Sequence, residues 1–350
     1  MIWILQCLYH NQTGVVRDGA HDSRKFDILS GVRQGCVLSP RLFCAALELA
    51  MSEWRAANPQ AGIDLGDDML RLLDLRFADD VLIFASTKEE VQNLLDSLVQ
   101  HLEAAGLMLN TSKTVALTTE AQPPSFIQVG DSHMIKVLGQ TESHKWLGCM
   151  LCACPGLDSD VEYHLQQAAK AFQKHRWMLQ CKECSIKHRL RYFEAIVSST
   201  ACFAAEHRPL YRKHLQKYDV QFRKFIRQIV GPPPGTNWSA QWHDILHEWN
   251  LRVDHWTRAS GISAWSRKCM IQYWKFGSYI ANLPAERWVR RALAWNPVPT
   301  YRSRGRPQQT WDTKLEMFCR YRALDDWEIV ARNAVQWDAL LPTFLHFCSM

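Results

Sequence analysis

Two carboxylates stand side by side at Asp79-Asp80, between an apolar run at residues 72–77 and another at residues 81–85. Adjacent acids raise each other's pKa unless a cation compensates. Mg²⁺ is the natural partner, because it takes oxygen ligands and leaves positions for water and phosphate. The β-prone flanks predict a hairpin with the acids at its tip, held at the end of a buried sheet. An ordinary exposed Asp-Asp turn is the competing reading of the same residues. A second reactive pattern is Cys149-x2-Cys152 and Cys181-x2-Cys184 with His188 nearby, a spacing that admits a zinc site. The other candidates are a glycine-bracketed loop, Gly31-Val32-Arg33-Gln34-Gly35, and Lys113 in a polar turn.

Several elements must position these groups. Residues 13–30 read as two short strands turning at Asp18-Gly19. Ser39 and Pro40 read as N-cap and N1 of a helix carrying Phe43, Leu47, Met51 and Trp54. Beyond the acidic turn, Thr87 and Glu90 form a capping-box pattern. The helix they open has the stripe Val91, Leu94, Leu95, Leu98, Val99 and Leu102, and Gly106 stops it. Short strands end near Met150. Helices dominate from about residue 159 to 230, where Leu215, Tyr218, Phe222, Phe225, Ile226 and Ile229 form one core stripe. Gly231-Pro232-Pro233-Pro234-Gly235 breaks the pattern. Residues 236–350 hold 11 of the 15 tryptophans, which predicts a small helical core there.

Charge separates along the chain. Residues 1–150 hold 12 Lys/Arg against 18 Asp/Glu, and residues 151–350 hold 29 against 17. Residues 161–230 alone are +9. An acidic half joined to a basic half fits a chemistry module beside a polyanion-binding module, although helix-rich segments also carry solvated Lys and Arg. No run reaches the roughly 18 apolar residues that a membrane span needs. The opening residues have no basic flank of a signal peptide. The scattered cysteines read as reduced thiols, which points to nucleus or cytoplasm and no membrane. Residues 3–9 look like a helix already under way, which suggests a fragment.

The ordered blocks resemble the reverse transcriptases of non-LTR (LINE-type) retrotransposons and their group II intron relatives. Residues 30–40 (SGVRQGCVLSP) look like motif B of that family, Phe77-Ala78-Asp79-Asp80 like motif C, and Gly106-Leu107 through Thr114 like motif D. Trp146-Leu147-Gly148 looks like motif E, the primer grip. The resemblance implies an α+β fold: a partial right-hand polymerase palm (antiparallel sheet with packed helices) at 1–118, and primer-grip strands at 119–158. It further implies a helical thumb at 159–230, a linker at 231–235 and a helical C-terminal region at 236–350. It implies metal and catalytic roles for Asp79 and Asp80, a catalytic role for Lys113 beside the triphosphate, and nucleotide or template contacts for Arg33, Gln34, Gly35 and Phe77. Trp146, Leu147 and Gly148 would hold the primer. Arg212, Lys213, Lys217, Arg223 and Lys224 would contact nucleic acid from the thumb. Mg²⁺ is the implied cofactor, no zinc is expected, and the partners are an RNA template, a DNA primer and dNTPs. The basic stretch Arg302-Ser303-Arg304-Gly305-Arg306-Pro307 is a candidate RNA contact. The family's third carboxylate precedes motif B, and Asp18, Asp22 and Asp27 lie in no such segment. The expectation is therefore a truncated chain, inactive by itself, or a non-catalytic nucleic-acid-binding remnant.

Overall fold

The structure is a computed structural model that describes residues 2–66, 71–130, 133–153, 158–295 and 310–349. The chain divides into two compact units, Met1–Thr114 with Ile127–Ile135, and Val115–Phe126 with Lys136–Met350. It is a mixed α/β protein of small, mostly antiparallel sheets and many helices. No described helix is long and apolar enough to cross a membrane.

The first unit opens with α1 (Ile2–Tyr9). Four two-residue strands follow: β1 (Thr13–Gly14), β2 (Arg17–Asp18), β3 (His21–Asp22) and β4 (Phe26–Asp27). They nest as β1 with β4 outside and β2 with β3 inside, closing at Gly19 with φ +61°. The predicted pair of strands is thus one interrupted hairpin. α2 (Ser39–Ala57) carries a correction. Leu38 is already helical and serves as N-cap, so Ser39 lies inside the first turn, buried, with its hydroxyl 3.2 Å from Tyr9 Oη. β5 (Ile63–Asp64), β6 (Arg71–Leu72), β7 (Asp74–Phe77) and β8 (Asp80–Ile83) lead to α3 (Lys88–Ala104).

Thr87 caps α3 by accepting from the Glu90 amide at 3.1 Å. The Glu90 carboxylate does not close the predicted box; it accepts instead from the amides of Ser86 (2.6 Å) and Gly62 (2.7 Å). Leu107 N to Leu102 O (2.8 Å) and Gly106 N to Glu103 O (2.9 Å) finish the helix around Gly106 at φ +72°. α2 and α3 share one core of Leu47, Ala50, Met51 and Trp54 with Leu94, Leu98 and Leu102. The fully buried Trp54 indole donates to Leu94 O.

In the second unit β9 (Val115–Leu117) pairs in parallel with residues 136–138. The unit boundary falls within β10 (Phe126–Val129) and β11 (His133–Leu138). β12 (Ser143–Trp146) and β13 (Cys149–Cys152) make a hairpin. Helices follow: α4 (Asp158–Lys174), α5 (Arg176–Leu179), α6 (Ile186–Phe193), a π-helical turn (Glu194–Ser198), α7 (Ser199–Ala201), a 3-10 turn (Ala205–His207) and α8 (Arg212–Val230). Beyond the proline run come α9 (Trp242–Ser260), α10 (Trp265–Ala281), α11 (Trp288–Ala294), α12 (Thr313–Tyr321), α13 (Trp327–Arg332) and α14 (Ala334–Ser349).

The predicted stripe of α8 is core: Phe225 stacks on Phe172 at 4.5 Å, and Phe222 meets Trp265 at 5.8 Å. Val253 of α9 and Trp265 and Cys269 of α10 join that core. A second core forms around Tyr273, Trp274, Phe318, Trp337 and Phe344. So Trp249, Trp256 and Trp265 join one core and Trp274, Trp311, Trp327 and Trp337 the other, while Trp238, Trp242 and Trp295 are exposed, and α10 contributes to both cores.

Candidate functional site

β7 and β8 pair in the register Asp74↔Ile83, Leu75↔Leu82, Arg76↔Val81 and Phe77↔Asp80. Only Ala78 and Asp79 remain to turn the chain, and Ala78 takes φ +54° to do so. The carboxylates therefore stand at the hairpin tip as expected, Asp79 in the turn and Asp80 as the first residue of β8. Both are exposed, as is Phe77. The expectation of a buried sheet end is corrected. Among the described residues β7 and β8 pair only with each other, so solvent reaches the tip.

Strand alternation puts Asp74, Arg76, Val81 and Ile83 on one face and Leu75, Phe77, Asp80 and Leu82 on the other. Val81 and Ile83 pack on the α2–α3 core. On that face four charges bracket the hairpin to α2. Glu48 accepts from Arg76 Nη2 (2.6 Å) and Arg55 Nη2 (2.7 Å), while Asp74 accepts from Arg76 Nε (3.0 Å) and Arg55 Nη1 (3.4 Å). The Arg76 guanidinium, then Ser52 and Arg55, hold the Glu48 carboxyl at about 2 against a small desolvation penalty. Sequence reasoning missed this bracket. Its traces were the seven-residue spacing of Glu48 and Arg55 on one helix face and the Asp-x-Arg spacing on one strand face.

The other predicted residues of the first unit are all exposed. Arg33, Gln34 and Gly35 lie on the loop before α2, with Gly35 at φ +85°. Arg33 Nε donates to the Gln12 amide oxygen at 3.0 Å. Lys113 sits in a turn where its amide and that of Thr114 donate to Asn110 O.

In the second unit, Trp146 ends β12, and Leu147 and Gly148 make the β12–β13 turn at φ +48° and +86°. A Cβ on Gly148 would lie 2.9 Å from the Phe203 ring. Trp146, Leu147 and Cys149 line a cavity of about 840 Å³, closed further by Ser198, Phe203, Glu206 and Gln272. Trp146 Nε1 is buried there without a hydrogen-bond partner. On α8, Lys213 pairs with Asp158 (2.8 Å), Lys217 with Glu162 (2.9 Å) and Arg223 with Asp254 (2.9 Å). Arg212 and Lys224 make no ion pair among the described residues. The basic stretch at residues 302–307 lies outside the described residues.

Among the described residues, one group of three side chains brings metal-ligating atoms together, and the Asp79-Asp80 pair is not in it. It is Cys149, Asp160 and His164, whose ligating atoms lie within 4.8 Å of one another. The zinc pattern read from the cysteine pairs is a different set: Cys149 and Cys152 point to opposite faces of β13, and Cys152 Sγ donates to Gln140 O.

Residues 1–151 match the family model described as reverse transcriptase (RNA-dependent DNA polymerase). A transposon-derived protein of Caenorhabditis elegans is 23% identical over 275 residues, covering 77% of this chain and 95% of that protein. The Pol polyprotein of the R2 retrotransposable element of Popillia japonica is 25% identical over 183 residues, 50% of this chain. That of the Drosophila melanogaster R2 element is 30% identical over 160 residues, 43% of this chain. These matches span 28% and 15% of the two polyproteins. Taken with the tip carboxylates and the ordered blocks around them, these matches make residues 1–151 similar to a segment of the reverse transcriptases of R2-type retrotransposable elements.

Proposed function

We propose that the chain acts in RNA-directed DNA synthesis by a retrotransposon, with the first unit as part of a polymerase palm and α4–α8 as a thumb. The observation that carries this reading is the hairpin tip, where a two-residue turn displays Asp79 and Asp80 side by side. Mg²⁺ is commonly held by one or two carboxylates plus substrate phosphates, so the donor set fits it. Bound there, the ion would activate a primer hydroxyl and neutralise departing pyrophosphate. Asp79 is the proposed ligand and Asp80 the supporting charge. The described residues bring no third carboxylate to the pair, so it supplies one flank of a two-metal site.

The remaining roles are those that the family resemblance implies. Gly35, at positive φ, lets backbone approach a base pair closely. Arg33, Gln34 and Phe77 line nucleotide and template. Lys113 sits beside the triphosphate as a proton donor to pyrophosphate. Trp146, Leu147 and Gly148 grip the primer end. The α8 cations neutralise phosphates without reading sequence. An RNA template, a DNA primer and dNTPs are the proposed partners, and nucleus or cytoplasm the proposed location.

A primer-extension assay on the 350-residue chain with RNA template, DNA primer and Mg²⁺ tests the site. We expect no extension. Incorporation that vanishes in Asp79→Ala would show that the third carboxylate is dispensable. Hybrid binding tests the wider reading: affinity for an RNA–DNA duplex should fall steeply with salt, and a flat response sinks it. A second reading, a non-catalytic nucleic-acid-binding remnant, rests on the absence of a third carboxylate beside the pair among the described residues. Salt-dependent binding left unchanged by dNTP, Mg²⁺ and Asp79→Ala would select it.

A further inference from the structure

Cys149 begins β13, and Asp160 and His164 stand one turn apart on α4. His164 is 3% exposed, and its Nε2 has no hydrogen-bond partner. That nitrogen points at Asp160 Oδ1 across 3.4 Å. At that distance and out of line for a hydrogen bond, a nitrogen at such depth is left poorly satisfied unless something else reaches it.

We propose that Cys149, Asp160 and His164 form a zinc site that locks the β12–β13 hairpin to α4. The donor set is soft: thiolate and imidazole select Zn²⁺, or Co²⁺ in its place, over Mg²⁺. Tetrahedral bonds of about 2.0–2.2 Å to nitrogen and oxygen put those two atoms about 3.4 Å apart, which matches the Nε2–Oδ1 separation. The outer shell is already built. Asp160 Oδ1 accepts from Met150 N (2.7 Å), keeping a lone pair for metal, while Oδ2 accepts from Arg208 Nε (2.5 Å). Arg208 is itself buried and fixed by Tyr218 Oη and Phe203 O. Hydrogen bonds of this kind orient a ligating carboxylate. The rings of Tyr163 and Phe203 flank the imidazole at 5.2 and 5.8 Å. Cys149 also lines the 840 Å³ cavity, which has room for a water or another ligand in the fourth position. Glu206 lines the same cavity, with Oε2 buried and unpartnered. Its charge would help balance Zn²⁺ beside Arg208.

Without metal, burial and then the Asp160 carboxylate push the Cys149 thiol above its ordinary value. Zinc binding would release that proton.

The test is titration of the purified 350-residue chain with Co²⁺ alone, followed by competition with Zn²⁺. One equivalent should bind with tetrahedral visible absorption and a thiolate-to-cobalt charge-transfer band. Cys149→Ser, nearly isosteric, should lose the band and weaken binding at least tenfold. Cys184→Ser, in the other cysteine pair, should leave both unchanged. Zn²⁺ should raise the unfolding midpoint of the wild-type chain and not that of Cys149→Ser. No band, or a band that survives Cys149→Ser, overturns the site. His164→Gln repeats the test on the nitrogen ligand; if it fails to fold, Cys149→Ser decides alone. None of these readouts needs nucleic acid, so they stand apart from the polymerase reading.

Discussion

Single side chains that satisfy a buried partner give the sharpest expectations. Ser198 Oγ accepts from the Trp265 indole at 2.8 Å, with both residues fully buried. Ser198→Ala leaves that N–H unpaired, which should cost about 1–3 kcal/mol of unfolding free energy in urea. A loss below a few tenths would mean the indole finds another acceptor. Residue-scale chemistry was only partly legible. Asp79 and Asp80 were readable because their flanks are β-prone and the interruption is short. The Cys149–Asp160–His164 group was not, since its members come from a strand and a helix, and His164 looks like any apolar-face histidine. Ser39 was misplaced for a local reason: the backbone turns helical one residue earlier, at Leu38.

At the scale of elements, the bracket between α2 and the β7–β8 hairpin should be acid-labile. Glu48 is held at about 2, below its ordinary 4.5. A depressed carboxyl stabilises the fold above its unfolded pKa, and that contribution is lost as pH falls through the folded value. Hydrogen exchange at the Leu75 and Leu82 amides should therefore quicken between about pH 4.5 and 2, beyond its intrinsic pH dependence. Glu48→Gln should remove the excess change; the same profile in that variant would place the acid sensitivity elsewhere.

α8 offers a second element-scale test. Lys213, Lys217 and Arg223 are paired with acids within the second unit, whereas Arg212 and Lys224 have no acid partner among the described residues. A phosphate must displace an acid from the first three. The plot of log affinity against log salt should flatten by about 0.9 for each of Arg212→Ala and Lys224→Ala, and by less for Lys213→Ala. Equal effects at all five cations would mean the pairs open freely in the complex. The helix and its apolar stripe were legible from spacing. The pairing was not, because Asp158 and Lys213 are 55 residues apart in sequence.

Over the whole second unit, α10 joins two cores. Trp265 and Cys269 lie in the one built on α4–α8, and Met270, Tyr273 and Trp274 in the one built on α12–α14. Asp219 of α8 fixes the start of this helix by accepting from Ser266 N and Oγ at 2.9 and 2.6 Å. A helix that cannot fray at one end without exposing the other core makes their unfolding cooperative. We expect the slowest-exchanging amides of α8 and α14, one helix from each core, to report a single urea transition. Two separated transitions would show the cores melting independently. The proline run did not foretell this: residues 231–235 end α8, yet α9 returns to place Val253 in the same core.

Trp274 and Trp337 are stacked 3.6 Å apart and nearly parallel at 9°, each indole donating to the other's backbone carbonyl. Two identical chromophores held this close share their excited states. The ultraviolet circular dichroism of the folded chain should therefore carry a paired positive and negative exciton signal. That signal belongs to one core alone, and Trp337→Phe should reduce it to what the wider Trp311–Trp327 pair at 6.2 Å supplies, giving an optical handle on that core that bulk fluorescence from 15 tryptophans cannot offer.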